Sequence, residues 1–131
     1  MLLVQTKLGL SPISGIGLYA DEFISKGTII WKFTPNLDLK LTAAEYQALK
    51  QQHNFEVLDK YIYKSLISDY YILCADDARF INHSSAANTL DTLQDIEGLT
   101  IAAVDIKPGE EITSDYEAFD ADFSGYQHLL H

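Results

Sequence analysis

Two stretches of this chain read alike, and their likeness limits the folds open to it. Leu18 to Phe33 runs apolar, breaks at Phe23-Ile24-Ser25-Lys26-Gly27, and turns apolar again through Ile29, Ile30 and Trp31. Leu99 to Tyr116 repeats the pattern around Val104-Asp105-Ile106-Lys107-Pro108-Gly109. Gly27 and Gly109 supply the positive-φ position that tight turns require, and Pro108 restricts the residue before it. Each stretch is expected to fold as a hairpin-type unit. A third strand pair is expected across Glu97-Gly98, joining Asn88–Leu93 to Leu99–Val104. One helix is signalled: Thr42-Ala43-Ala44-Glu45 is a capping box, Leu41 and Tyr46 sit where a hydrophobic staple would, and the helix should run to about Gln52. From Phe55 to Cys74 the chain is rich in aromatic and β-branched residues, which leaves short strand and irregular structure both open. Short strands around a single helix make a mostly β domain.

Composition bounds the partners. The 131 residues fit one domain, 1–131, large enough to bury a core without disulfides. Cys74 is the single cysteine, and no leader-like start precedes the first apolar run, so the expected location is cytoplasmic, or a host cell interior or nucleus if the source is a virus or pathogen. No apolar run reaches the length of a membrane span. A formal charge of −10 repels phosphate backbones and would draw a basic partner such as a lysine-rich tail, so no direct nucleic-acid or membrane binding is expected. Asp105, Glu110, Glu111, Asp115, Glu117, Asp120 and Asp122 crowd the last quarter, opposed by Lys107. The same acidity also serves plain solubility.

Three segments look unlike core or loop. Gly15-Ile16-Gly17 by itself reads as a tight turn. It is no phosphate loop, because no Gly-Lys-Ser/Thr follows. What its glycines do permit is close backbone approach to a ligand. Arg79-Phe80-Ile81-Asn82-His83-Ser84 places an amide and an imidazole straight after apolar residues. A Ser-His-Asp hydrolase built on Ser84 and His83 fails, since adjacent side chains rarely face each other and no nucleophile elbow is present. A metal site fails too: His53, His83, His128 and His131 are scattered and there is one thiol. Glu110-Glu111-Ile112-Thr113-Ser114-Asp115-Tyr116 ends a strand-like run on a tyrosine beside an acid. Taken singly, that tyrosine reads as a buried ring with a hydrogen-bonded hydroxyl.

In this order and spacing the three segments resemble the SET-domain protein lysine methyltransferases, over about residues 9 to 116. That family carries Gly-x-Gly near its start, Asn-His-Ser before its last third and Glu-Glu-(Ile/Leu)-Thr-x-x-Tyr near its end. The resemblance implies small curled sheets around a C-terminal pseudoknot, in which the last motif passes beneath the loop holding the second. It implies an enzyme that transfers methyl groups from S-adenosylmethionine to lysines of a basic, lysine-containing protein or peptide, a histone or histone-like tail among them, with no metal. By position, backbone at Ile16, Gly17 and Leu18 should contact the cofactor, Asn82 and the His83 backbone should hold its amino-acid and adenine parts, and catalytic Tyr116 should sit where the methyl passes. Such an active site aligns sulfur, methyl and nitrogen, and keeps the lysine amine neutral near a positive sulfonium. An extended substrate would add as a strand beside the segment after the helix. Tyr70 and Tyr71 are candidates for its lysine channel, though either could be core.

The chain also departs from the family pattern. Ser114 stands two residues before Tyr116, where many members place Phe or Tyr and where methylation number is often set. A small side chain there predicts more than one methylation per lysine. Ser85 and Ala87 replace the usual Cys and Pro, while Asn88 keeps its place. Residues 117–131 form a short extension in place of a zinc-binding segment, and Phe119 or Phe123 could cover the adenine or simply pack on the domain edge. A SET-like module that binds a peptide or partner without turnover is the alternative function. A homodimer would follow if the C-terminal aromatics are exposed.

Overall fold

The computed structural model describes residues 1–53, 59–65, 68–92 and 98–116. Strands β1 (Thr6–Leu10) and β2 (Ile16–Ala20) form an antiparallel ribbon with Leu10 opposite Ile16 and Leu8 opposite Leu18. β3 (Ile29–Lys32), β8 (Thr89–Thr92) and β9 (Leu99–Ala102) make a three-stranded sheet with β9 central. β4 (Leu39–Leu41), β5 (Ile62–Lys64) and β6 (Tyr71–Leu73) make another with β6 central. A 3-10 turn, Asp77–Phe80, leads into β7 (Asn82–His83), which pairs in parallel with β10 (Thr113–Ser114). The fold is mostly β, as expected, and among the described residues no helix is long and apolar enough to cross a membrane.

The helix forms as its sequence dictates. α1 (Ala43–Gln52) opens with Thr42 Oγ1 accepting from the Glu45 N–H at 3.1 Å while the Glu45 carboxylate accepts from the Thr42 N–H at 2.9 Å. Hydrogen bonding to the carboxylate by the Thr42 backbone first, and then by its side chain, holds the Glu45 carboxyl below its usual range. Leu41 and Tyr46 meet in a small second core with Ile62.

The two echoing stretches are not hairpins. They pair with each other, and that corrects the reading from sequence. Ile24 and Ile106 exchange both main-chain hydrogen bonds at 2.8 Å. Gly27 N–H donates to Ala102 O and Gly109 N–H to Ala20 O, each at 2.8 Å, while Ala102 N–H donates to Thr28 O and Ala20 N–H to Glu110 O, each at 2.9 Å. Both glycines have φ 89°. The arrangement is a local pseudo-twofold. Its physical reason is burial: Ile24 and Ile106 are the turn residues that become buried, while Phe23 and Val104 stay exposed, and folding each turn on itself would leave both isoleucines in water. Crossing the turns puts both in the main core with Leu18, Ile30 and Ile112. The third pair is the expected one, β8 against β9, with Thr89 opposite Ala102.

Candidate active site

The site grows from the parallel contact of β7 and β10. Thr113 lies opposite Asn82 and Ser114 opposite His83, and Ser84 N–H extends the pairing to Ser114 O at 3.0 Å. Two residue pairs are too few to hold a sheet, so side chains complete it. Asn88 Oδ1 accepts from the Thr113 N–H at 2.9 Å and its Nδ2 donates to Glu111 O at 2.8 Å. Asn88 N–H donates to Thr113 Oγ1 at 3.2 Å. Thr89 Oγ1 donates to Thr113 O at 2.7 Å and lies 3.0 Å from Ser114 Oγ. Thr89, Thr113 and Ser114 are buried, so each of these polar groups depends on its partner.

Asn82 ties all three sequence motifs together. Its Nδ2 donates to Ser14 O at 3.1 Å, to Ile16 O at 3.3 Å and to Glu111 Oε2 at 3.0 Å. The Glu111 carboxylate in turn accepts from Ser11 Oγ at 2.8 and 2.9 Å. That carboxylate lies on Gly17, where an added Cβ would meet Oε2 at 2.4 Å. Gly17 is therefore glycine to admit Glu111. Gly15 differs, for its φ is +46° and a Cβ there would meet nothing within 4 Å. Asn82 Oδ1 takes no hydrogen bond among the described residues, so a buried amide keeps one acceptor in reserve beside an open glycine.

The third component is Tyr116, two residues beyond the end of β10. Its hydroxyl donates to Ile81 O, its N–H donates to His83 Nδ1 at 3.1 Å, and its ring lies tilted on the His83 ring with centroids 5.3 Å apart. Asp115 Oδ1 also approaches Nδ1, at 3.9 Å. The hydroxyl proton is committed to Ile81.

Asn82, His83, Ser114 and Tyr116 thus converge, with Ile16 half-exposed and Gly17 beside them. Leu18 stands apart: it is fully buried and its carbonyl accepts from Ile112 N–H at 2.8 Å, so the open space lies beside Gly15. Tyr71 stacks on Tyr46 of α1, ring centroids 4.1 Å apart, in the second core. Tyr70 is exposed, with Lys40 Nζ 4.8 Å from its ring. Phe119 lies outside the described residues. Sequence reasoning missed Ser11 and Glu111 as parts of the site. The signal for Glu111 was the Glu-Glu doublet, in which Glu110 is spent on its own turn by accepting from Lys107 N–H at 2.8 Å. It also missed Asp91. There Oδ1 accepts from Thr100 Oγ1 at 2.6 Å, while Oδ2 is buried with no partner among the described residues. Burial pushes the Asp91 carboxyl up to about 6, against the Thr100 bond and with help from Asp115. Cys74 is no nucleophile, for desolvation pushes its thiol well above the usual range, with Asp38 and Asp76 adding. Among the described residues no three His, Cys, Asp or Glu side chains are grouped to hold a metal.

Known proteins resemble this chain in sequence and fold. Residues 15–117 match the SET domain family model. Human and mouse histone-lysine N-methyltransferase 2D are each 30% identical over 133 residues, covering 94% of this chain, which spans 2% of the length of those relatives. A chain of ctPRC2 in an autoinhibited conformation bound to S-adenosylmethionine superposes with a TM-score of 0.70 at 22% identity, over 96% of this chain and 17% of that one. A Plasmodium falciparum protein described as a histone methyltransferase gives 0.62 at 21% identity, over 88% of this chain and 95% of its own. With the family model spanning all three motifs and the same fold recurring in these structures, the chain belongs to the SET domain family.

Proposed function

We propose that the protein is a protein-lysine N-methyltransferase, with S-adenosylmethionine as methyl donor and a basic, lysine-bearing protein segment as acceptor. One observation carries the reading: Asn82 joins the Gly15–Gly17 segment to Glu111 while its own Oδ1 stays unused, and Tyr116 is anchored to the same short strand pair. The donor set fits the cofactor. Asn82 Oδ1 is an acceptor for an ammonium group, and the bare Gly15 backbone accommodates a flat ligand surface. When bound, S-adenosylmethionine supplies an electrophilic methyl on a positive sulfur.

The chain's own residues then position. Asn82 and the His83 backbone would hold the amino-acid and adenine parts. Tyr116 would face the attacking nitrogen or the moving methyl with its hydroxyl and ring, and the Ile81 carbonyl orients that hydroxyl. Alignment of this kind is worth on the order of 7–11 kcal/mol. The acidic surface, at −10, favours a basic substrate such as a histone or histone-like tail, and raises its rate of encounter. A ctPRC2 relative that binds S-adenosylmethionine supports the cofactor assignment.

Calorimetry of S-adenosylmethionine on the native protein and Asn82→Ala tests the reading, followed by labelled-methyl transfer to basic proteins with Tyr116→Phe as control. Micromolar binding lost in Asn82→Ala, with transfer lowered about 100-fold by Tyr116→Phe, is the expected result. No binding at millimolar cofactor would point to a partner-binding module without turnover. Product number is read by mass spectrometry of native protein and Ser114→Tyr. The native protein should add more than one methyl per lysine, and an unchanged distribution in the variant would remove Ser114 from that argument.

A further inference from the structure

We propose that Ser11 and Glu111 are positioning residues that fix the Asn82 amide so that its carbonyl meets the amino group of the cofactor, an inference that rests on the methyltransferase reading above. The amide nitrogen is ringed by acceptors. Asn82 Nδ2 has Ser14 O at 3.1 Å, Ile16 O at 3.3 Å and Glu111 Oε2 at 3.0 Å. Carbonyl and carboxylate oxygens only accept, so the amide cannot turn over without setting Oδ1 against three other acceptors. Oδ1 is thereby held on the opposite side. Among the described residues it takes no hydrogen bond, and it is not sealed from the surface as Trp31 Nε1 and Asp91 Oδ2 are. A ligand can reach it.

Ser11 shapes that ring of acceptors. Its N–H donates to Gly15 O at 2.9 Å, and its Oγ accepts from the N–H groups of Ile13 at 3.0 Å and Ser14 at 3.4 Å. Those bonds close the loop that presents Ser14 O and Ile16 O to Asn82. The Ser11 hydroxyl proton goes to Glu111, whose two carboxylate oxygens lie 2.9 and 2.8 Å from Oγ. Gly17 leaves the room for both, since an added Cβ would meet Glu111 Oε2 at 2.4 Å and Ser11 Cβ at 3.0 Å. Among the described residues no lysine, arginine or histidine pairs with Glu111. Arg79 lies instead over the rings of Tyr61 and Phe80. The recorded side-chain donors to Glu111 are thus neutral, and its charge polarises the Asn82 amide. An amide that donates to a carboxylate is a stronger acceptor at its carbonyl, which suits an ammonium group.

Calorimetry on the full chain with two probes of neutral sulfur tests the assignment. S-adenosylhomocysteine carries the amino-acid part, and 5′-methylthioadenosine lacks it. Glu111→Gln keeps the size of the side chain and an oxygen for Ser11, but it can offer Asn82 an N–H and so let the amide turn. The variant should bind S-adenosylhomocysteine about tenfold more weakly and 5′-methylthioadenosine within about twofold of native. Ser11→Ala should show the same pattern to a smaller degree, and Ser11→Thr, which keeps the hydroxyl, should restore most of the loss. A merely structural role would weaken both probes alike. That result, or unchanged affinity for both, would overturn the positioning assignment and leave the enzyme reading intact. A native protein that binds neither probe and transfers no methyl group from S-adenosylmethionine would overturn both.

Discussion

The molecule contains two crossings held by opposite means. At the first, the Gly27 and Gly109 turns lie across each other, and six main-chain hydrogen bonds in three reciprocal pairs join them. The buried contact between them is apolar, with Ala20, Ile24, Ala102 and Ile106 at most 2% exposed, and Lys26 N–H adds one exposed bond to Asp105 Oδ1 at 2.8 Å. At the second, β7 and β10 share two residue pairs, and the contact is completed by Asn82, Asn88, Thr89 and Thr113. The apolar crossing stabilises through shape, and a slightly smaller side chain weakens it in proportion. The polar crossing is specified atom by atom, and removing one side chain strands the groups it served. The proposed function is placed on the second because orienting a nitrogen and a methyl needs fixed donors and acceptors, which an apolar contact lacks.

Asn88→Ala should open the widest gap between the two crossings. It strands the buried Thr113 N–H and the Glu111 carbonyl together, a loss of about 4 kcal/mol by urea denaturation. A loss under about 1 kcal/mol would mean that β10 does not depend on Asn88. Gly17→Ala comes next, at about 3 kcal/mol. Its Cβ would sit 2.4 Å from Glu111 Oε2 and drive the carboxylate off Ser11 and Asn82. The check is a double-mutant cycle with Glu111→Ala, which removes the clash. The pair should be clearly less damaged than the sum, whereas additivity would clear Glu111 of the role.

Asp91→Asn runs the other way. The folded carboxyl, raised to about 6 from an ordinary 3.8, prefers its neutral form. Its stability penalty is absent below about pH 4, grows between 4 and 6, and is full above pH 6. The variant should be about 2 kcal/mol more stable than native at pH 7.5, with the difference vanishing toward pH 4. Thermal melts across that range decide it. A variant less stable at neutral pH would show that the carboxylate is satisfied after all.

Legibility followed the range of the interactions. The capping box at Thr42 and Glu45 and the staple at Leu41 and Tyr46 join residues within five positions, so the sequence alone predicts them. The motif residues Asn82, His83 and Tyr116 were legible through resemblance, and the structure brings them together. The turns at Gly27 and Gly109 were legible as turns but not as partners, because a turn sequence states its own geometry and says nothing of what it crosses. Glu111 could not be told from Glu110, since both precede the same strand and only the fold sends one to its own turn and the other to Gly17. Asp91 was invisible for a similar reason. An acid between Leu90 and Thr92 reads as a solvated strand residue until Thr100 is placed opposite it.

The smallest effect tests the apolar crossing itself. Ile24 and Ile106 occupy equivalent places, are both essentially buried, and exchange the same pair of hydrogen bonds. Ile24→Val and Ile106→Val each remove one methylene from the same interior and should each cost about 1 kcal/mol. If the pseudo-twofold is energetic as well as geometric, the two losses should agree within a few tenths. The double variant should then fall short of their sum, because the second truncation relaxes into space the first has opened. Unequal losses would mean that one turn carries the crossing and the other follows it. Cofactor affinity should not move in any of the three variants, since neither residue touches the polar crossing. A change in affinity would show instead that the two crossings are mechanically joined through Ile112, whose N–H holds Leu18 O one residue from Gly17.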